Sequence, residues 1–184
     1  MIVSWKDYLK EILIEESQLQ TRIQELGQQI SADYQGKDLL LICILKGGVM
    51  FLTDLMRRIT IPHEIDFVAI SSYGRNVRQA TGVVRIVKDL DQPIENRHVL
   101  IIEDIIDSGH TLAYIHRNLA TRRPASLKIC TLLDKTERRE VDISVDYVGF
   151  EIPDKFVFGY GLDLDEKFRE LPFIGIAKPN VVVG

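Results

Sequence analysis

Between His98 and Thr111 the chain reads HVLIIEDIIDSGHT, and the way this stretch divides decides the fold. Val99 to Ile102 form an unbroken apolar run, the pattern of a strand covered on both faces of a parallel sheet. The run predicts a strand that stops at the adjacent carboxylates Glu103 and Asp104. After Ile105 and Ile106 the chain turns small and polar through Asp107, Ser108, Gly109, His110 and Thr111, and Leu112, Ile115 and Leu119 then recur at helical spacing up to a stop signal at Pro124. The turn of such a unit lies at the carboxyl end of its strand, facing the unpaired N–H groups and positive dipole end of the helix. A phosphate is the natural occupant. Gly109 allows close backbone approach, and the hydroxyls of Ser108 and Thr111 can donate to phosphate oxygens. The acids ask for something more. Carboxylates beside a bare phosphate repel it unless they face ribose hydroxyls, a metal ion or a base, so the stretch points to a sugar phosphate.

The same pattern recurs along the chain. Asp38 to Leu45, DLLLICIL, reads as a buried strand, followed by Lys46-Gly47-Gly48 and a helix through VMFLTDLMRRI. Amides at Gly47 and Gly48, with the charge of Lys46, suit a second phosphate group, although LKGG alone equally fits a plain turn. Strands are also predicted at 65–72, 83–90, 126–135 and 145–150, the first two separated by a polar, glycine-bounded segment at 73–82 that reads as a mobile loop or a hairpin tip. Upstream, Leu19, Ile23, Leu26 and Ile30 share one helical face, with Ser17 and Gln20 spaced as a capping box; Trp5, Tyr8 and Ile12 to Ile14 form a separate small element. The result is an α/β chain with a central, mainly parallel sheet flanked by helices. Ligands of such sheets bind beyond the carboxyl ends of the strands.

Composition narrows the function. The 184 residues suit one domain, and 46% hydrophobic with 27% charged residues is ordinary for a globular protein. No apolar run is long enough to span a bilayer and the start lacks a signal-peptide pattern, so a cytoplasmic protein without membrane contact is expected. A net charge of −4 and a pI of about 5.6 argue against a surface built for nucleic acid. Cys43 and Cys130 sit inside apolar runs as packing residues. Zinc-ligand spacing, GxxxxGK[ST] and GxGxxG are all missing. The arginine pairs 57–58, 122–123 and 138–139 read as solvated faces, as do Asp165 and Glu166 at a helix start.

EDIIDSG, residues 103–109, resembles the phosphoribosyl-pyrophosphate motif of the type I phosphoribosyltransferases, in the form of the hypoxanthine-guanine branch. LKGG at 45–48, the Ser72-Tyr73 pair, and PDKFVFGYGLD at 153–163 resemble further motifs of that family in the same order. The resemblance extends from the N-terminal helix to Pro172. His110 departs from the lysine, leucine or asparagine of many relatives, as does the composition of the segment from Arg75 to Ala80.

The resemblance implies the type I phosphoribosyltransferase fold, as a single domain: a core at about 36–150, and a small hood lobe from the N- and C-terminal segments, about 1–16 and 151–184. It implies a purine salvage enzyme that joins hypoxanthine or guanine to 5-phosphoribosyl-1-pyrophosphate, giving IMP or GMP and pyrophosphate, with Mg2+ as cofactor. On this basis Glu103 and Asp104 hold the ribose and metal-bound water, Ser108, Gly109, His110 and Thr111 hold the 5′-phosphate, and Asp107 is the general base. Lys46, Gly47 and Arg169 contact pyrophosphate, with a cis peptide before Lys46. Lys135 donates to the 6-oxo group of the purine, Phe156 stacks on the ring, and Val157 and Asp163 meet its edge, Asp163 also lying at the metal. Ser72 and Tyr73 begin a flexible loop that closes over the site and excludes water. A homodimer or homotetramer follows the family. The same fold also carries regulators that sense phosphoribosyl pyrophosphate and bind nucleic acid; the acidic pI and the purine motifs favour the enzyme.

Overall fold

In a computed structural model, residues 4–72 and 84–179 are described. In chain order the elements are α1 (Trp5–Tyr8), β1 (Leu9–Ile14), α2 (Glu16–Asp33), β2 (Leu39–Leu45), α3 (Gly48–Met56), β3 (His63–Ser72), β4 (Val84–Lys88), β5 (His98–Ile106), α4 (His110–Ala120), β6 (Ser126–Asp134), β7 (Tyr147–Glu151), β8 (Val157–Phe158) and β9 (Ile174–Ala177), with a 3-10 turn at Thr136–Arg138 after β6.

Six strands form one sheet in the order β4-β3-β2-β5-β6-β7. The β3-β2-β5-β6-β7 pairs are parallel, and β4 is added antiparallel at the β3 edge. Alternation along β2 explains how one run serves two layers. Leu39, Leu41 and Cys43 pack with α2 and α3 on one face, while Leu40, Ile42 and Ile44 join Leu112, Ile115 and Leu119 of α4 on the other. Cys43 and Cys130 are free and buried, as expected of small core residues. Arg22 of α2 caps the open edge at β7, donating to the carbonyls of Val148 and Gly149 at 2.8 and 3.0 Å.

A second, three-stranded antiparallel sheet, β1-β9-β8, joins the two ends of the chain, with β9 in its centre. Its own apolar cluster contains Phe158, Leu164, Phe168, Leu171, Phe173 and Ala177, against which Trp5, Tyr8 and Leu9 pack. Trp5 meets Phe173 edge-on at 5.2 Å between ring centroids. Among the described residues no helix is long and apolar enough to cross a membrane.

Three sequence expectations are corrected. β5 does not stop at the acids but runs on through Glu103 and Asp104 to Ile106. Its pairing with β2 ends at Cys43 opposite Ile102, whereas pairing with β6 continues to Ile106 opposite Asp134. Backbone ladders are indifferent to side-chain charge, so the strand continues, with Asp104 set against Gly47 of the turn that follows β2. The cap of α2 is shifted by two residues: the Glu15 N–H donates to Gln18 Oε1 at 2.9 Å, and Ser17 lies within the helix. Asp165 and Glu166 do not start a helix. Both have positive φ, 54° and 62°, in a tight turn closed by the Leu164–Lys167 bridge, a conformation that Asp tolerates better than most residues.

Candidate active site

A parallel sheet delivers the carboxyl ends of its strands to one edge, and here β2, β5 and β6 deliver the singled-out residues there. At the end of β2 the Leu45–Lys46 peptide is cis. Gly47 then lies flat against Asp104 of β5: a Cβ at Gly47 would fall 1.6 Å from Asp104 Oδ2. Gly161, at φ +97°, packs on the opposite side, where a Cβ would come within 2.2 Å of the Gly47 carbonyl oxygen. Only glycine fits at either place. Asp104, Gly47 and Gly161 thus form a column tying β5, the LKGG turn and the hood together.

Gly109, at φ +87°, caps α4. The helix N-terminus opens on a cavity of about 140 Å3 lined by Glu103, Asp107, Ser108, Gly109 and Thr111. The His110 ring turns away, with Nε2 2.9 Å from Glu140 Oε2, so at this position only the backbone faces the cavity rim. Glu103 lines this cavity, and Asp104 beside it lies against Gly47. Burial, Asp104's charge and a hydrogen bond between the two raise Glu103 well above the usual carboxylate range, and burial also raises Asp104. Glu103 Oε2 is buried without a hydrogen-bond partner. That oxygen is open to a hydrogen bond from a ligand or to a cation, whose charge would favour the ionised form.

A larger cavity of about 410 Å3 adjoins the first and shares Asp107 with it. Its walls include Lys135, Arg138, Asp154, Phe156, Val157 and Asp163. Lys135 is buried, its side chain 7% exposed, and its ammonium is 4.0 Å from Asp107 Oδ2 and 3.7 Å from Asp154 Oδ1. Phe156 is 47% exposed, a large apolar surface left at the cavity mouth. Beyond it, Arg169 reaches Asp163 Oδ1 at 2.8 Å, donates to the Gly161 carbonyl at 2.7 Å, and approaches Glu166 Oε2 at 3.4 Å. Lys46 meets the same Glu166 oxygen at 2.8 Å.

The structure therefore gathers Glu103, Asp104, Asp107, Ser108, Gly109 and Thr111 with Lys46, Gly47, Lys135, Phe156, Val157, Asp163 and Arg169. Ser72 ends β3, at the same sheet edge as the end of β2. Tyr73 lies outside the described residues. Sequence reading missed Arg138, Asp154 and Glu166. Arg138 belonged to a pair read as a solvated face, but only Arg139 turns away from the cavity, to the buried Asp134 at 2.8 Å. Arg138 Nε instead lies 3.0 Å from Asp107 Oδ1. Asp154 stood inside PDKF, where its position before the aromatic residue was the available signal. Glu166 had none beyond its closeness to Asp163.

Comparison with known proteins agrees with this geometry. The model of the phosphoribosyl transferase domain family matches residues 13–167. Over 179 residues the chain is 50% identical to a hypoxanthine-guanine phosphoribosyltransferase of Mycobacterium bovis, covering 94% of this chain and 88% of that one. It is 50% identical over 167 residues to a hypoxanthine phosphoribosyltransferase of Salmonella typhimurium, covering 90% and 93%. The crystal structure of a hypoxanthine phosphoribosyltransferase from Staphylococcus aureus superposes with a TM-score of 0.93 at 49% identity, over the full length of both chains.

Proposed function

The chain belongs to the phosphoribosyltransferase family, and on that premise we propose how its two adjoining cavities divide the substrates of 6-oxopurine salvage. It is an enzyme of the hypoxanthine-guanine branch, a glycosyltransferase. The reaction moves the 5-phosphoribosyl group from 5-phosphoribosyl-1-pyrophosphate to hypoxanthine or guanine and releases pyrophosphate. The smaller cavity takes the 5′-phosphate, on the amides of Gly109, His110 and Thr111 and the hydroxyls of Ser108 and Thr111. Glu103 and Asp104 hold the ribose hydroxyls. Pyrophosphate lies toward Lys46, Gly47 and Arg169, whose positive charges and amides favour the leaving anion. Lys46 exchanges Glu166 for it.

The larger cavity takes the purine. Phe156 offers a stacking face, and Lys135, a donor without acceptor capacity, prefers a 6-oxo group to a 6-amino group. Val157 and Asp163 meet the remaining edge of the base. As N9 attacks the anomeric carbon with inversion and the bond to pyrophosphate breaks, Asp107 accepts the proton of N7. The observation that carries this reading is the placement of Asp107 and buried Lys135 on one wall of a single cavity, 4.0 Å apart. Adjacent O6 and N7 of a purine fit that pair.

The donors present suit Mg2+ held jointly by protein and substrate. Among the described residues no three His, Cys, Asp or Glu side chains form a metal cluster by themselves, whereas the unpartnered Glu103 oxygen, Asp104 and Asp163 supply hard oxygen donors that substrate oxygens would complete. Bound there, Mg2+ neutralises charge on the pyrophosphate. A cytoplasmic location and a homodimer or homotetramer belong to the same proposal.

Steady-state assays with hypoxanthine, guanine, xanthine and adenine test the substrate class. Turnover of the three oxopurines in any ranking, with adenine excluded, supports it, and adenine as the preferred base refutes it. Asp107→Asn should lower kcat by about 10²–10⁴ with little change in KM for phosphoribosyl pyrophosphate; undiminished turnover would remove the base assignment.

A further inference from the structure

Asp107 and Lys135 carry opposite charges and face one cavity, yet their charged atoms stay 4.0 Å apart. Two further side chains account for the gap. Arg138 Nε engages Asp107 Oδ1 at 3.0 Å, while Lys135 approaches the other carboxylate oxygen, Oδ2. Asp154 Oδ1 engages the Lys135 ammonium at 3.7 Å, and Arg138 Nη1 lies 3.5 Å from the same oxygen. The four groups form a closed ring of alternating charge around the mouth of the larger cavity.

We infer that Arg138 is a positioning residue for Asp107, and that with Asp154 it forms a frame that keeps Asp107 and Lys135 at 4.0 Å and stops them closing into a hydrogen-bonded contact pair. The inference rests on the assignment of those two residues to N7 and O6 of the purine. Collapsed together, ammonium and carboxylate would satisfy each other, and an entering base would have to separate them. Held apart, they present one acceptor and one donor at the spacing of adjacent purine atoms. Arg138 suits this task because its guanidinium is planar, permanently charged and able to bind two carboxylates at once.

Kinetics of Arg138→Gln and Arg138→Lys, each in the wild-type and Asp107→Asn backgrounds, test the frame. Arg138→Gln should lower kcat about 10–100-fold, the cost of misplacing a reacting group by on the order of 1 Å. KM for phosphoribosyl pyrophosphate should stay within about 3-fold. Arg138→Lys should recover only part of the loss, since it keeps the charge but not the planar fork that spans both carboxylates. In the Asp107→Asn background Arg138→Gln should cost nothing further, because its effect passes through Asp107. An equal additional loss there, or wild-type turnover in Arg138→Gln alone, overturns the inference. Asp154→Asn provides an independent variant: it releases Lys135 toward Asp107 and should raise KM for hypoxanthine several-fold, and an unchanged KM counts against the frame. If Asp107→Asn retains full turnover, the base assignment falls and the frame with it. An inactive Asp107→Asn beside an unimpaired Arg138→Gln sinks the frame alone.

Discussion

Replacing Gly47 by alanine tests the column at the centre of the site. The added Cβ would fall 1.6 Å from Asp104 Oδ2 and 2.6 Å from Asp104 Cγ, where about 3.0 Å is the nearest approach a Cβ tolerates. The carboxylate therefore has to retreat by about 1.4 Å, or the LKGG turn by as much. Neither move is free. Asp104 Oδ1 accepts from the Ile105 N–H at 2.8 Å, and the Gly47 carbonyl sits so near Gly161 that no side-chain atom fits between them. Overpacking of this kind costs about 1–3 kcal/mol in stability. The catalytic cost should be larger: the displacement moves Asp104 and the LKGG turn together, to which we assign the ribose and the pyrophosphate, and a misplacement of about 1 Å is worth on the order of 10²-fold in rate. Thermal unfolding and steady-state kinetics on Gly47→Ala should show a folded protein with Tm lowered by several degrees and kcat/KM for phosphoribosyl pyrophosphate reduced roughly 100-fold. A folded variant with kcat/KM within a few-fold of wild type would refute the reasoning, since Asp104 and the turn would then be dispensable to each other.

Two further outcomes are expected. Lys135→Ala should weaken oxopurine binding and relax discrimination against adenine, measured as the ratio of kcat/KM values for hypoxanthine and adenine; an unchanged ratio removes Lys135 from base selection. Asp38→Asn tests a pair at the opposite end of the sheet, where Arg97 clasps Asp38 at 2.8 and 2.9 Å and holds its carboxyl below the ordinary range. For a lowered acid the stabilisation is fully present above the ordinary Asp value of about 3.9 and disappears as pH falls through the lowered one. The substitution should therefore cost at most about 1 kcal/mol at neutral pH. That difference should begin to shrink only below about pH 4 and vanish as pH falls through the lowered value, with kcat untouched; a difference that persists below it contradicts the sign.

Much of the fold was legible because apolar runs such as LLLICIL and HVLII can only be buried strands, and because each is followed by a polar turn and a helical period. β5 was read too short because hydropathy reports burial in apolar surroundings, whereas Glu103 and Asp104 are half-buried, Glu103 on the wall of a cavity and Asp104 against Gly47. The site was legible where chemistry is local in sequence, as in EDIIDSG. It was obscure where partners meet only through topology. Nothing near Arg138 in the chain announces Asp107, which reaches it because β5 and β6 are paired neighbours. The turn at Asp165 and Glu166 was missed because it uses positive φ without glycine, and its residues look like a helix start.

The hood sheet has a consequence for how the molecule is assembled. β1 lies near the beginning of the chain and β9 near its end, with Leu9 paired to Ala177. During synthesis β2, β5 and β6 can pair as soon as β6 has emerged, but β1 must wait for its partner until β9 leaves the ribosome. Pairing of such high sequence separation is slow. This small sheet, whose β8 brings Val157 to the wall of the larger cavity, is therefore completed late, and a nascent chain stalled before Ile174 would lack its central strand.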